Sequence, residues 1–350
     1  MTDSLAVNKT HYTYQQDLEG IIDLPGIETI NGKTVLLTGA TGLIGSCLID
    51  ALMKRNTADD AGIKIIAVGR SKEKAFTKLG DYFDSPCFSF LEQDVRSPFP
   101  DEIKADFIIP LASNTHPLAY SKYPVETVEI NVEGARHTLN KARQCGAIVV
   151  YPSSVEIYGS GNEDFDENYT GRLNLSNSRS CYTESKRVSE ALCQSYIAEY
   201  GVDCRIARLS RIFGPTMDMN DTKASSQFIL KALAKEDIVL KSKGDQLFSY
   251  TYAADAVQAI IFLMIKGECG QAYNVASDNC NVRLAEFAES CARYSGTRVV
   301  YDIPDSVEQK GYSIAARAIL NTGKLRELGW SSRYDFDTAI QRTLTILDNK

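Results

Sequence analysis

The sequence predicts an α/β protein: a doubly wound parallel sheet carrying a smaller C-terminal substrate-binding lobe. Three observations predict it. Short apolar runs alternate with segments of helical spacing; the first run leads straight into closely spaced glycines; and after Gly214-Pro215 the alternation breaks into shorter, mixed elements.

The elements follow in order. Residues 1–30 read as an N-terminal extension, with a short helix over Tyr14–Ile22 and a turn at Leu24-Pro25-Gly26. Lys33–Thr38 is a short apolar run, as expected of a strand buried on both faces. Leu43–Lys54 has helical spacing. Further strands are predicted over Ile63–Val68, Phe88–Leu91, Phe107–Leu111, Ala147–Tyr151 and Asp203–Leu209, with long helices over Glu126–Cys145 and Thr183–Tyr200. Residues 31–214 therefore form the expected dinucleotide-binding domain with the catalytic residues. Residues 215–350 form mainly the substrate side, interleaved with the sheet, with helices over Ser226–Ala234, Ala254–Ile265 and Leu284–Ser295.

Composition narrows the function. The chain has 350 residues, 44% hydrophobic and 24% charged, with a formal net charge of -7. An acidic chain without a basic run has no electrostatic footprint for nucleic acid. The longest apolar run, Ala256–Ile265, is too short to span a membrane, and the polar N-terminus is not a signal peptide. Nine scattered cysteines without C-x-x-C spacing read as reduced thiols of a cytoplasmic protein. Three dispersed histidines (His11, His116, His137) make no metal site.

Thr38-Gly39-Ala40-Thr41-Gly42-Leu43-Ile44-Gly45 lies between a predicted strand and a predicted helix. In such a turn the first glycine permits the sharp bend, the second lets a pyrophosphate approach the backbone, and the third lets helix and strand pack closely. The helix N-terminus offers free N–H groups to the phosphates. Gly39, Thr41, Gly42, Leu43, Ile44 and Gly45 are thus candidate cofactor-binding residues.

Tyr182 and Lys186 lie four apart at the start of a helix and share a face. An ammonium beside a phenol favours the phenolate and lowers its pKa, so Tyr182 is a candidate general base. If residues 153–156 are extended, Ser154 and Glu156 point to the same side.

TGATGLIG, the serine segment Ser153-Ser154-Val155-Glu156 and Tyr182-x-x-x-Lys186, in this order, resemble the extended short-chain dehydrogenase/reductases. The resemblance implies a Rossmann fold and an NAD or NADP that is tightly bound and recycled. It implies that Ser154 relays the proton of a sugar hydroxyl to Tyr182 while C4 of a sugar-nucleotide is oxidised. The 4-keto sugar can then be epimerised, dehydrated or decarboxylated. A carboxylate at position 156 suits the 4,6-dehydratase and decarboxylase types better than a simple 4-epimerase, while Val155 replaces the aspartate of many dehydratases. A non-catalytic NAD(P)-binding protein of this fold is the alternative from another class, and the intact Ser154, Tyr182 and Lys186 argue against it.

The same resemblance assigns further residues. Asp94 and Val95 flank adenine, and Leu111 and Ala112 line the cofactor site. Ser113 and Gln227 lie on the substrate side, and Arg317 lies near the nucleotide; His116 joins the substrate side on topology alone, in the loop above the fourth strand where ligands bind in such sheets. Asn131 orders the active-site backbone. The acidic residue that usually holds the adenosine ribose is replaced by Gly69. Arg70 either meets a 2′-phosphate, favouring NADP, or stacks on adenine. Over most of residues 33–330 the chain is most similar to the UDP-glucuronate decarboxylase branch, so the expected partner is a UDP-sugar. Two departures stand out: Phe248 replaces an arginine that grips the diphosphate, and Arg211 replaces an asparagine. Arg211 is the candidate to restore the lost charge. The family also implies a homodimer through the helices over Glu126–Cys145 and Thr183–Tyr200.

Overall fold

The computed structural model describes residues 7–303 and 316–348. In chain order the first half contains helix α1 (Tyr12–Ile22), β1 (Thr34–Thr38), α2 (Leu43–Asp59), β2 (Lys64–Gly69), α3 (Lys72–Leu79), β3 (Phe88–Glu92), β4 (Phe107–Pro110), α4 (Pro117–Lys122), α5 (Pro124–Cys145), β5 (Ile148–Ser154), α6 (Ser180–Tyr200) and β6 (Cys204–Leu209). The second half adds β7 (Arg211–Phe213), α7 (Ala224–Leu233), β8 (Ile238–Leu240), β9 (Leu247–Tyr252), α8 (Ala253–Lys266), β10 (Ala272–Val275), β11 (Asn281–Arg283), α9 (Leu284–Ser295), β12 (Val299–Tyr301), β13 (Arg317–Ala318), α10 (Gly323–Glu327) and α11 (Phe336–Leu347).

Seven strands make one parallel sheet in the order β10-β6-β5-β4-β1-β2-β3. The chain starts at β1, winds out through β2 to β3, then returns past β1 and winds the other way. Strand order reverses between β1 and β4, and ligands bind outside the carboxyl ends of the strands at such a switch point. The apolar runs explain the centre of the sheet: Val35, Leu36, Leu37, Ile108 and Ile109 are all buried. β5 runs past the expected end at Tyr151 to Ser154, because Pro152, Ser153 and Ser154 stay in register with Ala207, Arg208 and Leu209.

The C-terminal half adds two small sheets. β9 pairs with β11, β13 and β7, and β8 pairs with β12. Helix α8 is buried from Ala253 to Met264, which accounts for its apolar sequence. Among the described residues no helix is long and apolar enough to cross a membrane.

The N-terminal extension is built into the core, not hung from it. Tyr14, Leu18 and Ile21 of α1 are buried. Tyr14 donates to the buried Asp50 of α2 at 2.6 Å, and Arg342 of α11 donates to the buried Asp17 at 2.7 Å. The first six residues lie outside the described ones.

Candidate functional site

The turn after β1 is shaped by glycine. Gly39 has φ 67°, and a Cβ there would stand 2.7 Å from the carbonyl carbon of Leu111 and 2.8 Å from the nitrogen of Ala112. A Cβ on Gly45 would run into the carbonyl oxygen of Gly39. Only glycine lets β1, the first turn of α2 and the loop after β4 come this close. The cradle leads into a cavity of about 780 Å³, lined by Gly39, Thr41, Gly42, Leu43, Ile44 and Gly45 at one end. Free N–H groups at the start of α2 thus face an open cleft, which fits a dinucleotide pyrophosphate.

The adenosine end follows from the strands beside it. Gly69, Arg70, Gln93, Asp94 and Val95 extend from the ends of β2 and β3 and line the same cavity. Arg70 donates to Glu126 of α5 at 2.8 Å. Asp94 accepts from Arg96 at 2.8 Å, and this hydrogen bond holds its carboxyl below the usual range.

Past β4, Leu111, Ala112, Ser113 and His116 line the middle of the cavity. Ser113 donates to Asn131 at 2.8 Å, and Asn131 donates to Ser185 at 2.8 Å. Asn131 is buried, and joins the loop after β4 to α6. His116 Nδ1 lies 2.8 Å from Asp221. Burial works to raise the Asp221 pKa, but the His116 hydrogen bond and the Lys223 charge bring it down to about 2.

Ser154 ends β5 and Tyr182 opens α6, so the two meet where sheet and helix converge. Both line the cavity, with the Ser154 hydroxyl beside the phenol. Lys186, one helical turn on, donates to the carbonyl of Pro152 at 2.8 Å and lies 5.0 Å from the centre of the Tyr151 ring. Burial pushes its ammonium down to about 8. The expectation that Lys186 lowers the Tyr182 pKa is corrected here. Burial raises the phenol above its ordinary value, and Ser154 is the group that pulls it down. The physical reason is desolvation, which disfavours the charged form of each residue.

The extended reading of residues 153–156 is corrected as well. The strand stops at Ser154, and Val155–Tyr158 forms a 3₁₀ turn in which the N–H of Glu156 donates to Ser154 Oγ at 3.2 Å. Glu156 nevertheless lines the cavity together with Ser154 and Tyr182. The turn brings it there, not strand alternation.

Arg211 of β7 lies across from them, 3.4 Å from Glu156. Its guanidinium carbon sits 3.7 Å from the centre of the Phe248 ring. Gln227 and Arg317 are not brought to the cavity formed by the described residues. Helix α7 buries Ser225, Ser226, Phe228 and Ile229, which turns Gln227 outward, where it donates to the Asp221 carbonyl at 2.6 Å. Arg317 is held by the Asn162 carbonyl at 3.1 Å and by the Asp164 carboxylate.

Sequence reasoning missed Tyr120 and Arg179, both cavity-lining. The Tyr120 ring stacks on that of Tyr182, centroids 5.7 Å apart. No spacing announces this contact, because α4 is six residues long and distant in sequence from α6. None of the nine cysteines is in a disulfide. Among the described residues no group of three or more His, Cys, Asp or Glu side chains could hold a metal ion.

A family model described as the NAD dependent epimerase/dehydratase family matches residues 35–276. The sequence is similar to UDP-glucuronic acid decarboxylase 3 of Arabidopsis thaliana, 32% identical over 304 residues, covering 85% of this chain and 84% of that protein. UDP-glucuronic acid decarboxylase 6 of the same plant is 31% identical over the same shares. Among solved structures, the dTDP-glucose 4,6-dehydratase of Bacillus anthracis in complex with NAD matches with a TM-score of 0.74 and 20% identity, over 90% of this chain and 96% of that one. The UDP-glucuronic acid 4-epimerase of Bacillus cereus, in complex with NAD and UDP-4-deoxy-4-fluoro-glucuronic acid, matches with a TM-score of 0.77 and 17% identity, over 90% of this chain and 98% of that one. At these identities the two structures show a shared fold.

Proposed function

Because this chain belongs to the NAD-dependent epimerase/dehydratase family, we propose that it is a nucleotide-sugar lyase of the decarboxylase type, acting on a UDP-linked uronate. One observation carries the choice of chemistry: a carboxylate, Glu156, shares the cavity with Ser154 and Tyr182 and is paired with a cation, Arg211. The glycine cradle, Asp94, Leu111 and Ala112 are the residues that would hold NAD. Bound there, NAD supplies a hydride acceptor that can return its hydride later.

The chain supplies the rest. Tyr182 accepts the proton of the sugar C4 hydroxyl, relayed by the Ser154 hydroxyl beside it in the cavity. Lys186 holds a positive charge within one helical turn of that phenol. Once C4 is a ketone, the C5–carboxylate bond is labile, since its electron pair can move into the carbonyl as carbon dioxide leaves. Glu156 is placed to exchange a proton at C5. A uronate carboxylate brought near Glu156 meets like charge, and Arg211 between them offsets the repulsion. Arg211 also takes the place of the diphosphate-binding arginine that Phe248 replaces.

The residue assignments go with this reading. Residues 31–214 carry the cofactor and the proton chemistry. Residues 215–350 contribute mainly the substrate wall, with Lys223, Phe248 and Tyr250 lining the shared cavity. A homodimer through α5 and α6 is supported by Val125, Val128 and Val188, which are exposed on those helices. A cytoplasmic location is supported by nine unpaired cysteines.

The second reading is a 4-epimerase, favoured by the fold likeness to a 4-epimerase and by Val155, which leaves position 155 without an acid to protonate a leaving hydroxyl. The test is incubation with UDP-glucuronate, UDP-glucose and dTDP-glucose, with products read by mass and NMR. Loss of about 44 mass units from the uronate supports decarboxylation; loss of about 18 from a neutral sugar indicates dehydration; an unchanged mass with a new ring coupling indicates epimerisation. No product from any substrate, with NAD still bound, identifies a non-catalytic NAD-binding protein instead.

A further inference from the structure

In this fold the adenosine ribose lies against the carboxyl end of β2, beside the glycine turn. An acidic residue there accepts from the 2′-hydroxyl, or a nearby arginine meets a 2′-phosphate. In this chain β2 ends in Gly69, which has no side chain to do the former. The space is also taken: a Cβ on Gly69 would meet the Phe90 ring at 3.2 Å. Among the described residues lining this end (Gly69, Arg70, Gln93 and Asp94), Arg70 is the one cation.

Arg70 is not free to take a phosphate. Its Nη1 donates at 2.8 Å to Glu126, in the first turn of α5. Next to this pair stands a second one: Arg96 donates to Asp94 at 2.8 Å and to Glu129 at 3.0 Å. Two arginines thus face three carboxylates. A 2′-phosphate would enter a rim whose charges already sum to negative, and its natural partner is held by a carboxylate. A 2′-hydroxyl brings no charge to this rim and meets no such repulsion.

We infer that Glu126, acting through Arg70, selects NAD over NADP. The selector has moved from the end of β2 to the start of α5. Exposed ion pairs contribute little to stability, but selectivity is a difference between two affinities, and a repelling charge against one ligand sets it. The inference rests on the reading of the glycine turn as a nicotinamide dinucleotide site.

The experiment is direct titration of NADH and NADPH into the purified full-length chain, followed by fluorescence and calorimetry. The wild type is expected to bind NADH at least about tenfold more tightly. Glu126→Gln is expected to tighten NADPH binding by about five- to tenfold and to move NADH by less than about twofold. Adding Arg70→Ala to that variant should abolish the gain, since the freed guanidinium is what binds the phosphate. Glu126→Asp keeps the charge and should keep most of the preference. A wild type that binds both cofactors equally overturns the inference, as does a Glu126→Gln ratio equal to the wild type's. Binding of neither dinucleotide removes the site reading itself, which is a separate outcome.

Discussion

The guanidinium of Arg211 lies on the face of Phe248, 3.7 Å from the ring centre, while its Nη2 reaches Glu156 at 3.4 Å. The ring fixes the plane of the cation, and the carboxylate fixes its direction. β7 and β9 are adjacent parallel strands, with Arg211 in register with Tyr250, so this contact is built into the sheet.

Removing that cation should weaken binding of a nucleoside diphosphate. Arg211→Ala is expected to raise the Kd for UDP by about ten- to a hundredfold, the loss of one charge-assisted contact. Arg211→Lys should recover only part, since an ammonium does not stack flat. Calorimetry with UDP checks both. Equal affinity in the alanine variant would show that the anion sits elsewhere.

The phenol is expected to carry the chemistry and not the binding. Tyr182→Phe should lower turnover by about a hundred- to ten-thousandfold and leave NADH affinity within about twofold. Glu156→Gln should keep hydride exchange with the sugar, seen as a transient absorbance of the reduced cofactor, and slow the protonation at C5 that follows carbon dioxide loss, read as delayed uptake of solvent deuterium there. A Tyr182→Phe enzyme with wild-type turnover ends the proposed mechanism.

Lys186 sets a pH dependence. Burial brings its ammonium down to about 8, so it is charged below that pH and neutral above it. If the charged form is the one that supports turnover, kcat should fall as pH rises through about 8. Lys186→Arg stays charged throughout and should remove that limb of the profile. A profile with the same alkaline fall in the arginine variant assigns the limb to another group.

Asp255 gives a stability test. Burial raises its pKa to about 6, opposed by hydrogen bonds from the N–H groups of Arg333 and Tyr334 and from Ser277. A raised folded pKa means that the fold holds a proton the unfolded chain releases. Its contribution is fully present below the ordinary aspartate pKa of about 3.9 and is lost as pH rises through about 6. The size is on the order of 2–3 kcal/mol, at 1.36 kcal/mol per pH unit. Asp255→Asn should flatten the change in Tm between pH 4 and pH 7 to that extent. A slope that stays as steep would place the titration on Asp17 or Asp50, which burial also raises.

Much of the sheet was legible because strands buried on both faces must be apolar throughout, and Val35 to Leu37 and Ile108 to Ile109 read that way. The end of β5 was not legible: Pro152-Ser153-Ser154 reads as a loop, and only the register with β6 shows it to be strand. The extension reads as peripheral, since one short amphipathic helix carries no sign of its partners. It takes α2, β9 and α11 in place to show that Tyr14 and Asp17 are buried among them.

The sequence by itself determined the glycine cradle, the order of serine, tyrosine and lysine, and the family they belong to. These depend on spacing within single turns and helices, where covalent geometry sets the distance. Only the tertiary structure decided which charges answer one another. Arg70 meets Glu126 from 56 residues away, Arg211 leaves solvent for the face of Phe248, and Gln227 turns outward because its neighbours fill the core. Such pairings are fixed by how strands and helices pack across the cavity, and a linear chain carries no local mark of them.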